Sequence, residues 1–318
     1  MTYSVIIRTL TGGDKYLALL SSIDHQSVKP EHIFIVQPHG FTPPKETIGY
    51  EEYIQCKKGM WMQRIYGMEY CYSLPEHSKY LLVCDDDVTF EPDFVEKLII
   101  LSEENNADTM IPLPDLRLSL GRRLLYTFLQ GPLLTKKDKY RNRVLLNGCW
   151  ACNNSLTHNV NPTQSGNFQC FLMRTDITPQ LNLRDELWID ETRYAWPDDM
   201  MFFYKAHLNG LNILSCKQPT YIHHDGKAGV SNIDRIKDAA YSQGRNGLIF
   251  WSRFIKNRQV NKRNKLKAKI YFNYRVLATR LIYIILGIKR KSFFQLSAYN
   301  RGLRDAKKHP ILSSSSCL

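Results

Sequence analysis

The stretch Tyr80-Leu-Leu-Val-Cys-Asp85-Asp86-Asp87-Val-Thr-Phe90 runs four apolar residues and a cysteine straight into three adjacent carboxylates. A short apolar run bounded by a polar turn reads as a buried strand of a parallel sheet. The carboxylates then stand where the strand ends, which is where open α/β sheets bind their ligands. Three neighbouring like charges repel unless something positive lies among them. A divalent cation suits that spacing, since Mg²⁺ commonly takes one or two carboxylates together with substrate phosphates. The plainer reading is an acidic turn ahead of a helix, where acids complement the helix dipole.

Working outward, the segments before the triplet alternate between two periods. Tyr3 to Arg8, His32 to Gln37 and Glu51 to Gln55 read as strands. Lys15 to His25 and Lys57 to Ser73 carry apolar residues at helical spacing. After the triplet come a helix from Pro92 to Ser102 and a strand from Asp108 to Ile111. Short links between such elements predict an α/β fold with a mostly parallel central sheet flanked by helices. Beyond Pro114 the rhythm loosens. Helices are expected from Leu116 to Gln130 and from Pro197 to Leu208, and strands from Phe168 to Met173, Leu211 to Ser215 and Thr220 to His223. The Ser313–Ser316 run reads as a frayed end.

Charge is segregated. Of 43 Lys and Arg in 318 residues, 17 fall between Arg253 and Lys308, against one acid, Asp305. That segment carries +16 and the remainder −3, which points to a membrane surface or a nucleic acid as its neighbour. Its apolar residues Leu266, Ile270, Tyr274 and Leu277, then Leu281, Ile285 and Ile288, recur at helical spacing among the basic ones. A basic amphipathic helix with aromatics reads as an interfacial segment on an anionic membrane, the alternatives being a helix packed on the body or a nucleic-acid binder. The longest apolar stretch, Val276 to Ile288, contains Arg280 and is shorter than the ~20 residues a spanning helix needs. The eight cysteines lie in apolar segments without a framework pattern, which predicts buried thiols in a reducing compartment. Cys149-Trp-Ala-Cys152 has no second pair and reads as packing. The start, Met1-Thr-Tyr-Ser-Val-Ile-Ile, reads as a strand and no signal peptide is expected.

Two further polar constellations stand out. Trp196-Pro-Asp198-Asp199 places two carboxylates at a helix N-terminus, where Pro197 suits the first turn. A cap needs one carboxylate, so the second is unexplained. Tyr221-Ile-His223-His224-Asp-Gly226 places two imidazoles at a strand end, and either is a candidate metal ligand.

In this order the patches resemble the inverting family 2 glycosyltransferases of the GT-A fold, over about residues 3–250. Ser4-Val-Ile-Ile-Arg-Thr9-Leu is similar to the family's opening strand. Gln26-Ser-Val-Lys-Pro-Glu-His-Ile-Phe-Ile-Val is similar to its link into the second strand, and Met62-Gln-Arg64-Ile-Tyr-Gly67 to the helix ahead of its acidic motif. Asp85-Asp86-Asp87 with Pro92-Asp-Phe-Val-Glu-Lys resembles the DxD motif and its following helix. Asp190-Glu191, Asp198-Asp199 and Ala206-His-Leu-Asn-Gly210 resemble the DE, ED and glycine segment. Gly244-Arg245-Asn246 resembles a motif of bacterial envelope and capsular polysaccharide transferases.

The resemblance implies residues 1–252 as the catalytic domain, with 1–115 the nucleotide-binding half and 116–252 the acceptor-binding half, followed by the basic helical extension 253–318. It implies a nucleotide-diphosphate sugar held by Thr9, Gln37, Arg64, Asp85, Asp86 and Arg245, with Lys57 adding positive charge. It implies Mg²⁺ or Mn²⁺ on Asp87 and Asp85 with His223 or His224, neutralising the diphosphate leaving group. Asp199 becomes the general base for the acceptor hydroxyl and Asp198 a positioning carboxylate. Trp196 is a candidate to stack on a sugar face. The second strand departs from the family by ending in Gln37-Pro38-His39 instead of a pair of acids, which leaves the nucleobase open, and Arg8 stands where a proline is usual, a difference expected to matter little. The acceptor implied is a glycan or a polyprenyl-linked glycan, the location the cytoplasmic, inner face of the cell membrane, and no nucleic acid is expected. Two rivals are a haloacid-dehalogenase-like phosphotransferase, since Asp85-x-Asp87-x-Thr89 fits its D-x-D-x-T pattern, and a non-catalytic basic membrane- or nucleic-acid-binding protein. Against the first, that motif normally opens its domain.

Overall fold

The computed structural model describes residues 1–113, 120–131, 138–224 and 232–313. Residues 116–119 of the expected helix, Asp225-Gly226 and Ser314–Ser316 lie outside the described residues.

The strands expected ahead of the triplet and into it form as β1 (Tyr3–Arg8), β2 (His32–Pro38), β3 (Glu51–Cys56) and β4 (Tyr80–Asp85). Between them stand the helices α1 (Asp14–Asp24) and α2 (Met60–Ser73). A two-residue strand β5 (Val88–Thr89), α3 (Phe94–Glu104), β6 (Thr109–Pro112) and α4 (Leu120–Gln130) follow. Three short strands, β7 (Asn142–Val144), β8 (Trp150–Cys152) and β9 (Val160–Pro162), lead to β10 (Cys170–Arg174). A run of 3₁₀ turns from Thr175 to Glu191 then leads to α5 (Asp198–Leu208), β11 (Ile213–Cys216) and β12 (Ile222–His223).

The central sheet has eight strands in the order β3-β2-β1-β4-β10-β6-β11-β9. Pairs β3–β2, β2–β1, β1–β4 and β6–β11 are parallel, while β10 runs antiparallel to both β4 and β6. Successive residues of a strand face opposite sides. Accordingly Ile6, Phe34, Val36, Leu81 and Val83 enter one core with α2 and α5, and Val5, Ile7, Ile33, Ile35 and Leu82 enter the other with α1 and α3. Both faces are covered, which is why β1, β2 and β4 read as unbroken apolar runs.

Beyond β12 the described residues are helical. α6 (Ile233–Trp251) continues through a π turn (Ser252–Lys256), and α7 (Lys262–Arg290), α8 (Phe294–Lys307) and α9 (Pro310–Ser313) follow. α8 lies tight on α6: a Cβ on Gly244 would stand 2.3 Å from the Tyr299 carbonyl, and one on Gly302 2.2 Å from that of Tyr241. α7 buries Ala268, Phe272, Arg275 and Ala278 against the body. The tail therefore packs on the body through one face of α7 and through α8.

Candidate active site

The site begins with register. Arg8 and Asp85 end neighbouring parallel strands and are paired partners there, so their side chains emerge side by side. Arg8 Nη2 donates to Asp85 Oδ1 at 3.0 Å. Arg64, one turn into α2, donates to the same oxygen at 3.0 Å and to Asp198 Oδ2 at 2.6 Å. The Arg64 guanidinium is buried, and its face lies 4.2 Å from the Phe168 ring centre. The expectation that Arg8 matters little is corrected here: it is one of two cations holding the first carboxylate of the triplet.

Arg64 is itself aimed by a distant carboxylate. Asp190 accepts from the backbone N–H groups of Trp61 (2.9 Å) and Met62 (2.7 Å), two otherwise orphaned donors of the first turn of α2. Gly59 makes room for it, since a Cβ there would lie 2.2 Å from Asp190 Oδ2. Burial pushes the Asp190 carboxyl up, against the pull of those two N–H groups.

The triplet divides its work. Burial tends to raise Asp85, but Arg8 and Arg64 outweigh it and hold this carboxyl below the usual range. Asp86 is raised, by burial first, although Thr9 Oγ1 stands 2.5 Å from its Oδ2. Asp87 lies beside His223: the Nε2 to Oδ1 distance is 3.2 Å. That pairing comes from the small sheet of β5 and β12, in which His223 is the partner of Val88. His224 turns elsewhere, with its Nε2 2.8 Å from Thr89 Oγ1. The two imidazoles are thus told apart by geometry.

At the other end, Asp198 and Asp199 open α5. Asp199 Oδ1 accepts from the Met200 N–H at 2.6 Å, and Asp198 takes Arg64. Burial, and then the neighbouring Asp198 charge, push Asp199 up to about 7. Trp196 has the Arg275 guanidinium over its ring at 5.2 Å, so one face of the indole is already covered. Beside it opens a cavity of about 350 Å³ lined in part by Tyr194, Trp196, Gln243, Tyr283 and Gln295.

The remaining candidates fall outside this cluster or at its edge. Gln37 is fully buried at the end of β2; its Nε2 reaches the Thr42 carbonyl at 3.4 Å, and among the described residues its Oε1 takes no hydrogen bond. Lys57 is exposed. Arg245 is engaged by the Trp188 carbonyl, by Asn246 Oδ1 and by Glu191, so its guanidinium serves the seam between α6 and the 188–191 turn. The expectation of Arg245 at a diphosphate is not what these contacts describe. Asn246, also buried, bonds Thr192 and Ser242 in the same seam.

The donor set can be weighed against the expected cation. Among the described residues no cluster of three or more His, Cys, Asp or Glu is arranged around one metal position. Among the described residues Asp85 is engaged by two arginines through Oδ1 and Asp86 by Thr9 through Oδ2, while Asp87 and His223 stand side by side. Two protein ligands with the remaining positions left to phosphate oxygens and water fit a cation that arrives with its substrate. The surplus of carboxylates over arginines in the cluster favours positive charge as well.

No protein-family model and no curated protein matches the chain. Among solved structures it is similar to the crystal structure of GalNAc-T7 with UDP, GalNAc and Mn²⁺. The TM-score is 0.53 at 12% sequence identity, over 86% of this chain and 55% of that one. The chain thus spans about half of that structure's length. What the likeness defines is the fold: this is a GT-A architecture, with the triplet at the end of β4.

Proposed function

We propose that this chain is a metal-assisted, inverting glycosyltransferase that moves a sugar from a nucleotide diphosphate to a hydroxyl of a glycan or lipid-linked acceptor. The observation that carries the reading is the single guanidinium of Arg64 shared by Asp85 and Asp198. It ties the triplet, which suits a diphosphate and its cation, to an acid pair that suits proton transfer.

In this reading Asp87 and His223 hold Mg²⁺ or Mn²⁺. When bound, the cation neutralises charge on the departing diphosphate. The mixed oxygen and imidazole pair favours Mn²⁺ over Mg²⁺. Asp85 is kept ionised by Arg8 and Arg64 and would orient the ribose or the water around the cation, with Asp86 and Thr9 beside it. Gln37, at the end of β2, is the candidate to meet the base edge through its amide. Asp199, deprotonated, takes the acceptor hydroxyl proton as that oxygen attacks the anomeric carbon. The bond from the anomeric carbon to the diphosphate breaks and the diphosphate leaves with the electron pair. A single attack from the opposite face inverts configuration. Asp198, fixed by Arg64, positions the base, and the cavity beside Trp196 is the acceptor side. The basic tail holds the enzyme at the inner face of an anionic membrane, where a polyprenyl-linked acceptor would reside. Membership in family 2 and a role in polysaccharide synthesis belong to this reading.

A screen of nucleotide sugars for Mn²⁺-dependent thermal stabilisation tests the donor. The anomeric configuration of the product, read by NMR, tests inversion. No stabilisation by any nucleotide sugar, or a retained anomer, overturns the reading. The phosphotransferase rival needs Asp85 as a free nucleophile, and two arginines bind the same Asp85 oxygen. A phosphoryl group trapped on Asp85 would reverse that judgement.

A further inference from the structure

The face of α7 turned away from the body is apolar. Leu266, Ile270, Leu277, Leu281, Ile284 and Ile288 are each between 36% and 66% exposed. At 3.6 residues per turn they fall within an arc of about 60°. A helix packed on a soluble body ordinarily shows water its polar side. Here the side toward solvent carries an apolar stripe flanked by the exposed Lys269, Asn273 and Arg280, the kind of surface that marks an interaction site.

Alongside the stripe, α6, α7 and α8 enclose a groove of about 680 Å³. Five cations line it: Lys256, Lys269, Arg280, Arg304 and Lys307. Among the described residues no carboxylate lines it. Among the described residues none of the five forms an ion pair; Arg280 donates only to the Asn300 side-chain oxygen, at 2.9 Å. The floor includes the apolar side chains of Trp251 and Leu303. Like charges gathered around one concavity repel and raise its affinity for an anion. Phosphate oxygens accept several charge-assisted hydrogen bonds at once. An apolar floor and an adjoining apolar stripe favour an amphiphile over a bare polyanion.

We propose that this groove seats the phosphate-bearing headgroup of an anionic membrane lipid while α7 lies in the interface along its stripe. The inference rests on the membrane location proposed above and assigns it a specific site. A nucleic acid is the alternative occupant that the test must reject.

The test is co-sedimentation of the full chain with vesicles of phosphatidylcholine alone, and of phosphatidylcholine mixed with an equal part of phosphatidylglycerol. Three proteins are compared: the native chain, Lys269→Gln with Arg304→Gln in the groove, and Lys45→Gln with Lys237→Gln, which remove the same charge elsewhere. Each basic residue near an anionic surface contributes a factor of about five, so the groove pair should bind the mixed vesicles about 25-fold more weakly. The control pair should bind like the native chain, and thermal melts of all three should coincide. Equal binding by groove and control pairs overturns the groove while leaving the membrane reading intact. Failure of the native chain to select the mixed vesicles overturns both. Duplex DNA that displaces native chain from the vesicles, and binds the groove pair more weakly, assigns the groove to nucleic acid and overturns the proposal.

Discussion

Arg8 and Asp85 are register partners at the ends of β1 and β4, and their side chains are joined at 3.0 Å. Arg64 closes on the same Asp85 oxygen and carries the link on to Asp198. Four charged groups from four elements are therefore one unit. Removing one partner of a buried pair leaves the others uncompensated, which costs about 3–5 kcal/mol. Arg64→Ala should unfold at clearly lower denaturant for that reason. Arg64→Lys keeps the charge but lacks a planar fork that reaches both carboxylates. It should fold, yet lose on the order of 100-fold in kcat/KM through misplacement of the acid pair. Near-native turnover in Arg64→Lys would show that the bridge does not organise catalysis.

The acid pair sets a pH dependence. Asp199 is raised to about 7, by burial and then by Asp198. A base works only when deprotonated, so kcat should climb with pH through about 7 and level off above it. Asp198→Asn removes the neighbouring charge and should move that limb to lower pH, at reduced rate. The same shift has a stability consequence. A carboxyl whose folded pKa lies above its unfolded value contributes stability below about pH 4, and that contribution is lost as pH rises through about 7. Asp199→Asn should therefore be inactive but more stable than the native chain at pH 8, by something on the order of 2 kcal/mol. Thermal melts across pH, with turnover measured alongside, check both signs. Retained turnover in Asp199→Asn would remove this residue as the base.

The metal assignment separates two adjacent histidines. His223 faces Asp87 at 3.2 Å, whereas His224 faces Thr89. Asp87→Asn and His223→Ala should each abolish Mn²⁺-dependent stabilisation by the nucleotide sugar found in the screen. His224→Ala should leave most of it. Isothermal titration of Mn²⁺ with the nucleotide diphosphate reads this directly. A larger loss for His224→Ala than for His223→Ala would exchange their roles.

Much of this arrangement is legible in the sequence, and the reasons differ by residue. The triplet, the acid pair and the histidine pair announced themselves because charge or imidazole beside an apolar run is locally costly and needs an explanation. Strands β1, β2 and β4 were legible because burial on both faces leaves an uninterrupted apolar string. The direction of β10 was not, since an apolar run looks the same whichever way it is threaded. Arg8 was discounted because its partner is supplied by register between strands far apart in the chain. The Asp190 to α2 contact was hidden for a similar reason, although Gly59 just ahead of that helix was a usable signal of close approach. Arg245 is ambiguous in the sequence because a basic residue inside a motif-like triplet looks the same whether it meets a phosphate or, as the structure has it, Glu191. The tail showed its period but not its facing: both an inward and an outward surface are written on α7.

Gly59 allows a direct test of how α2 is set. Gly59→Ala would drive a Cβ into the Asp190 carboxylate, 2.2 Å from Oδ2. Loss of a helix-capping acceptor costs about 1 kcal/mol, with overpacking strain added to it. Asp190→Ala should show the capping loss without the strain and so be the milder of the two in chemical denaturation. Both should lower turnover, because each loosens the turn that aims Arg64. Full activity in Asp190→Ala would show that α2 is positioned without its cap.

The seam between α6 and α8 makes the final prediction. Gly244 and Gly302 face each other's helix backbones, with room for no Cβ at either position. Gly244→Ala should push Tyr299 away, and Gly302→Ala should push Tyr241 away, each costing about 1–3 kcal/mol. Both insult one contact surface, so their effects should not add: once α8 has moved off α6, the second methyl meets little resistance. The consequence reaches inward. His309, just past α8, lies 3.1 Å from Glu191, the residue that also pairs with Arg245. Displacing α8 should therefore loosen the 188–191 turn next to Asp190 and lower turnover as well as stability. Limited proteolysis should cut the chain between α7 and α8 faster in either variant. A double variant whose destabilisation equals the sum of the singles would mean that the two glycines relieve separate contacts and that α8 stays docked.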